Sequence, residues 1–495
     1  DRSRGLGDVY KRQIEDYKHR AILLGGDLTG VPNLFTLANM TTNKSQAKET
    51  INDQTQSLFA TLQLGYKNMV FLDVTARNDW VTALANTSKT SMFYPSVGLS
   101  AVLTDIFKVD SRVLSFAKIR ASYAEVGNAP MRWITIPTYP VSDGTPQTST
   151  YLTSDDFKPE RTKSWEVGAD VRLWGNKLIL NATYYSSRTY NQVFNPDISS
   201  TSTYSSLYVN AGRVDNKGVE VSAELNQNLG PVKWSSNLVY SRNRNKVLSL
   251  GNAVQTGLKT DLRTGMQYEY YGNQSEQFRA YTNILAVGQP MYVFYGYRTD
   301  GIVQSLAEGL SAGLSGDDAQ PGEFKYVDIY DGDGLETVDE NDMCIIGDPN
   351  PDWMASLGID VSWRRFDFSI FFNGVFGNDV LNTKRFDQPS NMPMRWTADN
   401  PTNSYPRLNA NRQTKLSDWW VEDGSFVRIQ TMTLGYSIPF SKKDAARKIR
   451  LYVSADNLYT FTGFEGYDPE VGMTGIYSGG YPRLRKWTFG ADFTF

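Results

Sequence analysis

The end of the chain is its most constraining segment. Residues 485–495 read RKWTFGADFTF, in which apolar and polar side chains alternate strictly. In an extended strand, one side therefore carries only apolar residues, which are Trp487, Phe489, Ala491, Phe493 and Phe495. A strand that is apolar on one face and polar on the other, and that ends on an aromatic residue, is typical of the closing strand of an outer-membrane β-barrel. This segment alone leaves an ordinary strand of a soluble β-sandwich as the alternative.

The same alternation recurs along the chain in hairpins. Four of them are predicted to turn at residues 67–68, 175–176, 230–231 and 364–365. The flanking segments run for about 10 to 14 residues, which exceeds the usual length of strands in globular sheets and suits a tilted membrane crossing. Charged residues occupy the non-apolar faces of these strands. We therefore expect strands with a lipid face and a lumen face.

The connections also alternate in length. Short turns are predicted near 67–68, 175–176, 230–231, 288–290, 364–365 and 440–447. Longer segments lie between them, near 128–160, 186–210, 248–275, 304–351, 383–425 and 462–484. Short periplasmic turns and long extracellular loops are typical of outer-membrane barrels, whereas a sandwich has no reason to show this parity. The sequence predicts an all-β protein, a transmembrane antiparallel β-barrel segment of about 15 strands.

Composition agrees with a barrel and excludes other classes. Aromatic residues make up 13% of the chain, the net charge is −3, and the chain has one cysteine, Cys344, and one histidine, His19. No apolar run is long enough for a transmembrane helix. An intrachain disulfide, a His/Cys zinc site and a basic nucleic-acid stripe are therefore excluded, and a histidine-dependent catalytic site would have to use His19.

The first residues stand apart from the rest. Residues 1–13, DRSRGLGDVYKRQ, follow none of these patterns and contain no apolar signal-peptide core. We interpret them as a non-native leader or assembly artefact, and residues 14–495 as one barrel domain.

A series of short motifs gives a family resemblance. In order, they are 76–80 (ARNDW), 93–96 (FYPS), 118–123 (KIRASY), 165–168 (WEVG), 216–220 (NKGVE), 294–297 (FYGY), 331–334 (DGDG), 346–349 (IGDP), 434–436 (LGY), 454–458 (SADNL) and 467–470 (YDPE). Each is weak alone, but their order over most of the chain resembles the carboxyl-terminal part of SusC-like (RagA-type) TonB-dependent transporters of Bacteroidetes. The acidic segment beginning at Asp328 departs from the family's pattern by one additional residue.

The resemblance implies both architecture and function. The family's barrel has 22 strands, and its plug domain and TonB box have no counterpart among the segments found here. The implied function is TonB-energised import of oligosaccharides or peptides across the outer membrane. The implied partners are a SusD-like surface lipoprotein, the TonB–ExbB–ExbD complex, the barrel assembly machinery and outer-membrane lipid. Two alternatives stay open, a secreted all-β carbohydrate-active enzyme that uses two carboxylates and a passive porin. As an importer the protein would not be an enzyme.

Two groups of residues are candidates for contacts in this function. Loop aromatics can stack on a ligand or touch the partner lipoprotein, and the selected candidates are Tyr268, Tyr270, Tyr271, Trp133 and Trp419. Alternatively, these aromatic side chains pack within the loops or belong to the aromatic girdle at the membrane interface. By resemblance, the terminal aromatic Phe495 is the signal that the assembly machinery recognises.

An acidic loop is the candidate metal site. Residues 328–342 carry seven carboxylates and no Lys or Arg. Ca²⁺ takes six to eight oxygen ligands, and Gly332 and Gly334 permit a tight turn, although the spacing is not that of an EF-hand. The preferred ligands are Asp331, Asp333, Asp339 and Asp342. A merely solvated acidic loop is the alternative, and no other cofactor is expected.

Overall fold

A computed structural model gives the architecture of the chain. It describes residues 6–494 except 29–30, 32, 35–38, 132–133, 136–140, 143–144, 147–150, 153–156, 195–205, 252–257, 273, 334–336, 388, 410–411, 413 and 440–447. Trp133 and Phe495 therefore lie outside the described residues.

One antiparallel sheet of 14 strands dominates the described residues, and its strands follow one another in chain order. They are β1 (Leu6–Leu28), β2 (Met40–Tyr66), β3 (Val70–Val81), β4 (Ser91–Val102), β5 (Leu114–Asn128), β6 (Glu160–Leu173), β7 (Leu178–Phe194), β8 (Val209–Leu229), β9 (Val232–Ser249), β10 (Trp353–Trp363), β11 (Phe366–Phe376), β12 (Phe426–Pro439), β13 (Lys448–Thr462) and β14 (Lys486–Thr494). The predicted all-β barrel wall of about 15 strands is confirmed in kind and nearly in number.

Connections at the two ends of this wall differ in length. The turn end carries residues 67–69, 103–113, 174–177, 230–231 and 364–365, and the four predicted hairpins are confirmed there. In the four-residue connection between Leu173 and Leu178, Trp174, Gly175 and Asn176 have φ of 50°, 67° and 67°, the left-handed conformation that lets the chain reverse direction. The predicted turn at 440–447 lies outside the described residues. The loop end carries every connection longer than 103–113, which is the longest at the turn end.

The two faces of the wall have opposite chemistry. On one face, large apolar side chains are exposed, among them Leu58, Leu99, Val167, Leu238, Leu434 and Phe489. The other face carries charged and amide side chains bonded across strands, as described below. Because exposed apolar positions recur at every second residue, they form a lipid-facing surface, as the alternation predicts. We call this the outward face and the polar one the inward face.

Aromatic side chains border the outward apolar band at both ends. Near the loop end, Trp165 lies 5.4 Å from Tyr184, and Tyr240 lies 6.0 Å from Trp353 between ring centroids. Near the turn end, the ring centroid of Phe366 lies 6.1 Å from that of Trp363 and 4.8 Å from that of Tyr436. Trp353 and Trp363 open and close β10, about 33 Å apart along the strand, or about 25 Å in height at a 40° tilt. That height matches the apolar band of an outer-membrane barrel.

The packed hydrophobic clusters of the described residues lie mostly in the loop-end connections, which we call the loop body; one cluster also includes Val214 and Val247 at the loop ends of β8 and β9. Residues 250–352 contribute a five-stranded sheet of Lys259–Thr260, Gln267–Tyr271, Asn283–Ala286, Val293–Gly296 and Cys344–Gly347. They also contribute the pair Thr299–Ile302 and Phe324–Tyr326 and the helix Leu306–Ser311. A three-stranded sheet joins Asp379–Asn382 and Val421–Asp423, from the connection between β11 and β12, to Ile476–Tyr477, from the connection between β13 and β14.

Short strands, a short helix and 3₁₀ turns lie in the connections. Two-residue strands lie at Val141–Ser142, Thr145–Pro146, Tyr151–Leu152 and Ser206–Leu207. A helix spans Leu103–Ile106, and 3₁₀ turns span Thr82–Leu84, Asp331–Asp333, Glu340–Asp342, Pro389–Met394 and Asp418–Trp420.

One predicted turn is wrong. Residues 288–290 were expected at the turn end, but they connect Asn283–Ala286 with Val293–Gly296 in the loop body. Both strands have four residues and are buried throughout, so they are too short to cross a bilayer and form part of a core instead. The predicted loops 248–275 and 304–351 are consequently parts of one connection.

The first strand includes part of the segment set aside as a leader. Residues 6–13 continue β1 and pair with β2 from Leu6↔Leu64 to Gln13↔Ser57. The non-native origin of residues 1–13 stays a prediction. No helix among the described residues is long and apolar enough to cross a membrane.

Candidate functional site

The inward face is held by charged side chains that reach across strands. On β5, Arg120 donates to the Asp170 carboxylate of β6 at 2.8 Å and also to Thr183 of β7, passing over Gly168. On β13, Arg450 donates to Asp367 of β11 at 2.6 Å. The bonds to Thr183 and Asp367 each span two inter-strand steps, so they tie the wall together and leave a polar surface towards the lumen.

An amide and tyrosine network continues this polar wall. Tyr185 of β7 donates to Asn243 of β9 at 3.2 Å, across β8. The Asn243 amide donates in turn to Asn216 at 3.0 Å. The Tyr185 ring lies directly over Gly218, where a Cβ atom would stand 2.4 Å from the tyrosine oxygen and 2.5 Å from the carbonyl oxygen of Arg242. Only a glycine lets the ring cross the strand at this position.

Two charged residues of the inward face contact neighbouring side chains of the wall. Arg172 lies over the Phe116 ring at 5.0 Å, and Glu224 accepts from Asn226 at 2.7 Å. Both side chains therefore contact residues of the wall itself. His19 lies on β1 with its ring 6.5 Å from that of Tyr17.

The three candidate tyrosines lie together on the strand Gln267–Tyr271 of the loop body. Tyr268 is buried, and its ring lies 4.9 Å from that of Tyr295. Tyr270 stacks on Tyr281 at 4.7 Å with Lys259 over its other side at 4.5 Å. Burial raises the pKa of Tyr270 to about 12, so it is a neutral hydrogen-bond donor at physiological pH. Tyr268 and Tyr270 are thus parts of a packed tyrosine cluster.

Tyr271 differs from its two neighbours because 37% of its surface is exposed. Its ring lies 4.6 Å from that of Tyr292, which supports it from one side. An aromatic ring that is held in place and still exposed can stack on a sugar or a peptide side chain. Of the three candidate tyrosines, Tyr271 is therefore the one placed to touch a ligand or partner.

Trp419 serves chiefly as a core residue of the loop body. Its ring contacts Phe324, Tyr405 and Trp420 at centroid distances between 4.9 and 5.6 Å. The Arg385 guanidinium lies 4.7 Å from the ring, and the indole N–H donates to the Ser404 carbonyl at 2.8 Å. These contacts match the packing interpretation of the loop aromatics. Trp133 lies outside the described residues.

The acidic loop has an ordered half. Asp342 is 1% exposed, and its carboxylate accepts from the backbone N–H groups of Ile329 at 2.7 Å, Tyr330 at 3.0 Å and Asp339 at 2.8 Å. Asp339 accepts from Asn341 N–H at 2.6 Å and completes a reciprocal capping box with Asp342. Two of the four candidate ligands therefore stabilise the loop's own backbone.

The other half of the loop is more open. Asp331 is exposed at the start of the turn Asp331–Asp333, and residues 334–336 lie outside the described residues. Burial, together with the neighbouring Asp342 carboxylate, raises the pKa of Asp328. Among the described residues, no three His, Cys, Asp or Glu side chains converge as ligands. The calcium site stays a prediction, in which a cation would relieve the repulsion between Asp328 and Asp342.

Two buried ion clusters were missed by the sequence analysis. Glu323 is 3% exposed and accepts from Arg407 at 2.7 Å, from Asn409 at 2.9 Å and from Arg412 at 2.5 Å. Burial alone would raise the pKa of Glu323, but the hydrogen bonds from Arg412 and Arg407 outweigh it and the pKa is lowered. The partners are more than 80 residues apart in sequence, so no local pattern could reveal the cluster.

The second cluster fixes the last long connection to the wall. Arg428 of β12 is 1% exposed and binds the carboxylates of Asp468 at 2.6 Å and Glu470. Arg483 binds the same two carboxylates at 2.7 and 3.0 Å. Both acids belong to the motif 467–470, which the sequence analysis identified. The pairing of these acids with Arg428 and Arg483 was not predicted.

The chain is similar to a known protein family and to several known proteins. The family model described as "TonB dependent receptor-like, beta-barrel" matches residues 7–458. TonB-dependent receptor P3 of Formosa agariphila is 30% identical over 474 residues, which cover 89% of this chain and 45% of that protein. TonB-dependent receptor SusC of Bacteroides thetaiotaomicron is 24% identical, over 89% of this chain and 43% of that protein. The chain thus spans about half the length of the relatives it matches.

A solved structure shows the same fold. The structure of the RagAB peptide transporter superposes with a TM-score of 0.81 at 19% identity, covering 100% of this chain and 54% of that chain. At this level of identity the match concerns the fold of the barrel wall and of the loop body.

Proposed function

The chain belongs to the TonB-dependent receptor family, in its β-barrel part, and from this premise we propose that its 14 strands are the carboxyl-terminal part of a 22-stranded outer-membrane barrel. We further propose that the whole protein imports oligosaccharides or peptides through that barrel. The observation that carries this proposal is the two-sided wall, which has a polar inward face and a packed, aromatic loop body at one end. No residue is assigned covalent chemistry in this function.

The orientation supports import from outside the cell. Outer-membrane barrels place short turns in the periplasm and long loops outside, so the turn end is periplasmic and the loop body extracellular. A substrate arriving from outside would therefore first meet the aromatic and hydrogen-bonding side chains of the loop body. Such groups suit ligands with both apolar and polar surfaces, including sugars and peptides.

A lipoprotein partner fits the exposed part of the loop body. The connection 463–485 presents apolar side chains to solvent, of which Tyr467, Met473 and Tyr481 are 72%, 81% and 85% exposed. The Arg428 cluster fixes the base of this connection, so these side chains are carried on an anchored segment. We assign this surface, together with Tyr271, to contact with a SusD-like lipoprotein. TonB–ExbB–ExbD would supply energy through the part of the protein outside this chain.

The test is growth of a strain that lacks the full-length protein, complemented with it, on oligosaccharides or on peptides as sole nutrient. The proposal expects growth on one of the two nutrient classes, and expects that growth to stop when TonB is deleted. A passive porin would support uptake without TonB, so TonB-independent growth would overturn active import. Growth unaffected by loss of the protein, on both nutrient classes, would overturn the importer assignment itself.

A further inference from the structure

The outward face changes character just beyond the loop-end aromatics. On β6 to β9, the apolar positions give way to cations, of which six are considered together: Lys163, Arg188, Lys217, Arg242, Arg244 and Lys246. Their register places them on the lipid side: Lys163 lies one outward position beyond Trp165, and Arg242 lies one outward position beyond Tyr240. We call this group the basic belt.

The belt is continuous across neighbouring strands. Lys163 is opposite Arg188, and Lys217 is opposite Arg244 in the strand pairing. Arg188 and Arg244 leave 44% and 57% of their side chains exposed. The cations therefore form a patch that spans four strands.

Acidic residues neutralise only half of the belt. Glu125 pairs with Lys163 at 3.4 Å, Asp215 pairs with Arg188, and Asp352 pairs with Arg244 at 2.7 Å. Among the residues the structure describes, no carboxylate lies within 4 Å of the other three, which are Lys217, Arg242 and Lys246. These three side chains are exposed. Asp215 also lies opposite Lys246 and near Lys217, so the six cations share three carboxylates and the belt keeps a net positive charge on the outside of the wall.

The height of the belt corresponds to the headgroup layer of the outer leaflet. Each outward position adds about 6.6 Å along the strand, or about 5 Å in height at a 40° tilt. The first and second positions beyond the aromatics are therefore about 5 to 10 Å above the hydrocarbon edge, at the level of the headgroups, and Lys246, at the third position beyond Tyr240, is about 15 Å above it. At the turn end, the outward ends of β8 and β9 carry Leu229 and Val232, and Lys233, the next residue of β9, is on the inward face.

We propose that the basic belt binds the phosphate groups of a phosphorylated glycolipid of the outer leaflet. Exposed guanidinium and ammonium groups at headgroup level bind phosphate oxygens through charge-assisted hydrogen bonds. The aromatic side chains Trp165, Tyr184 and Tyr240 lie just below them and would contact the upper acyl chains. The lipid would be held on this side of the barrel, on four strands that flank the loop body.

The test uses the full-length protein, purified from outer membranes in a neutral detergent, and measures phosphorylated glycolipid per barrel by mass spectrometry. The variant Lys217→Gln/Arg242→Gln/Lys246→Gln removes the three unpaired charges and leaves the three ion pairs intact. We expect this variant to retain no more than about one third of the lipid that the parent retains. The matched control, Lys108→Gln/Lys177→Gln/Arg365→Gln, makes the same change of charge at the turn end and should retain as much as the parent. Equal lipid in parent and belt variant would overturn the proposal.

Two further measurements keep the test independent of folding and of other ligands. In the unmodified protein, 1 M salt screens charges beyond about 3 Å and should release most of the bound lipid; full retention would overturn the charge-based account. Inorganic phosphate at the lipid's concentration should not displace it, and displacement would overturn a lipid site in favour of a free-anion site. Loss of a co-purifying protein from the variant, with the lipid unchanged, would assign the belt to a protein partner and overturn the proposal.

Discussion

Glu323 shows how a single buried carboxylate can hold the loop body together. Its carboxylate pairs with both Arg407 and Arg412, and the Arg412 side chain is itself only 6% exposed. We expect Glu323→Gln to destabilise the loop body by about 3 to 5 kcal/mol, because it leaves buried guanidinium charge without a partner. Hydrogen exchange of residues 299–327 in the full-length protein measures the effect. Glu308→Gln is the control, since its pair with Lys325 is more exposed and worth about 0 to 1 kcal/mol.

Glu323 also makes the stability of the loop body depend on pH. The pKa of Glu323 is lowered in the folded protein, so its contribution to stability is present above the unfolded value of about 4.3 and is lost as the pH falls through the folded value. Exchange of residues 299–327 should therefore accelerate below about pH 4, and this acceleration should be absent in Glu323→Gln. An equal acceleration in that variant would show that another group is responsible.

The acidic loop gives a residue-level prediction about calcium. Asp339 and Asp342 are ordered by backbone N–H groups, so Asp331 and Asp333 are the ligands whose removal leaves the loop's fold intact. Calorimetry with Ca²⁺ on the full-length protein should show heat of binding that Asp331→Ala/Asp333→Ala abolishes. Indistinguishable heats would leave the loop as surface charge alone.

At the scale of the strand, Gly218 tests how the wall is packed. The Tyr185 ring occupies the space above it, and an added Cβ would also meet the backbone oxygen of Arg242. We expect Gly218→Ala to destabilise the folded barrel by about 1 to 3 kcal/mol, the usual cost of overpacking. Gly98→Ala is the matched control on β4, because its Cβ would lie 3.9 Å from Asp73. The temperature at which the barrel loses its heat-modifiable gel mobility reports both.

The terminal strand carries the assembly prediction. Lys486–Thr494 pairs with β13 through nine register positions, from Asp456↔Lys486 to Lys448↔Thr494. Because residues 486–494 make these nine pairs, deleting Phe495 should lower the amount of protein in the outer membrane more than it lowers the melting temperature of the assembled barrel. Equal outer-membrane levels of the intact and truncated full-length proteins would remove Phe495 as an assembly signal.

The strands could be predicted because each has one lipid face, which imposes a period of two on the sequence. The strands Asn283–Ala286 and Val293–Gly296 were misjudged because they are buried on both faces and show no alternation. The site was harder to predict. Tyr268 and Trp419 were identified as aromatic loop residues, but whether an aromatic is packed or exposed depends on partners such as Tyr295 and Arg385, which tertiary folding brings close.

At the scale of the whole molecule, the account depends on which end of the wall faces the outside. The loop body contains the buried clusters, the candidate ligand contacts and the exposed partner surface, whereas the turn end carries short connections. If the orientation were reversed, the loop body would face the periplasm and could not meet an external substrate or a surface lipoprotein. The basic belt would then lie in the inner leaflet instead of the outer one.

Cysteine accessibility in intact cells tests this orientation most directly. The chain's one cysteine, Cys344, is buried, and Cys344→Ser provides a background for single cysteines in the full-length protein. Ser315→Cys and Ser478→Cys lie at exposed positions of the loop body, and Lys177→Cys and Arg365→Cys lie at exposed positions of the turn end. A membrane-impermeant maleimide should label the first two on intact cells and the last two only after the outer membrane is permeabilised. Labelling of the turn-end cysteines on intact cells, with the loop-body cysteines protected, would contradict the account.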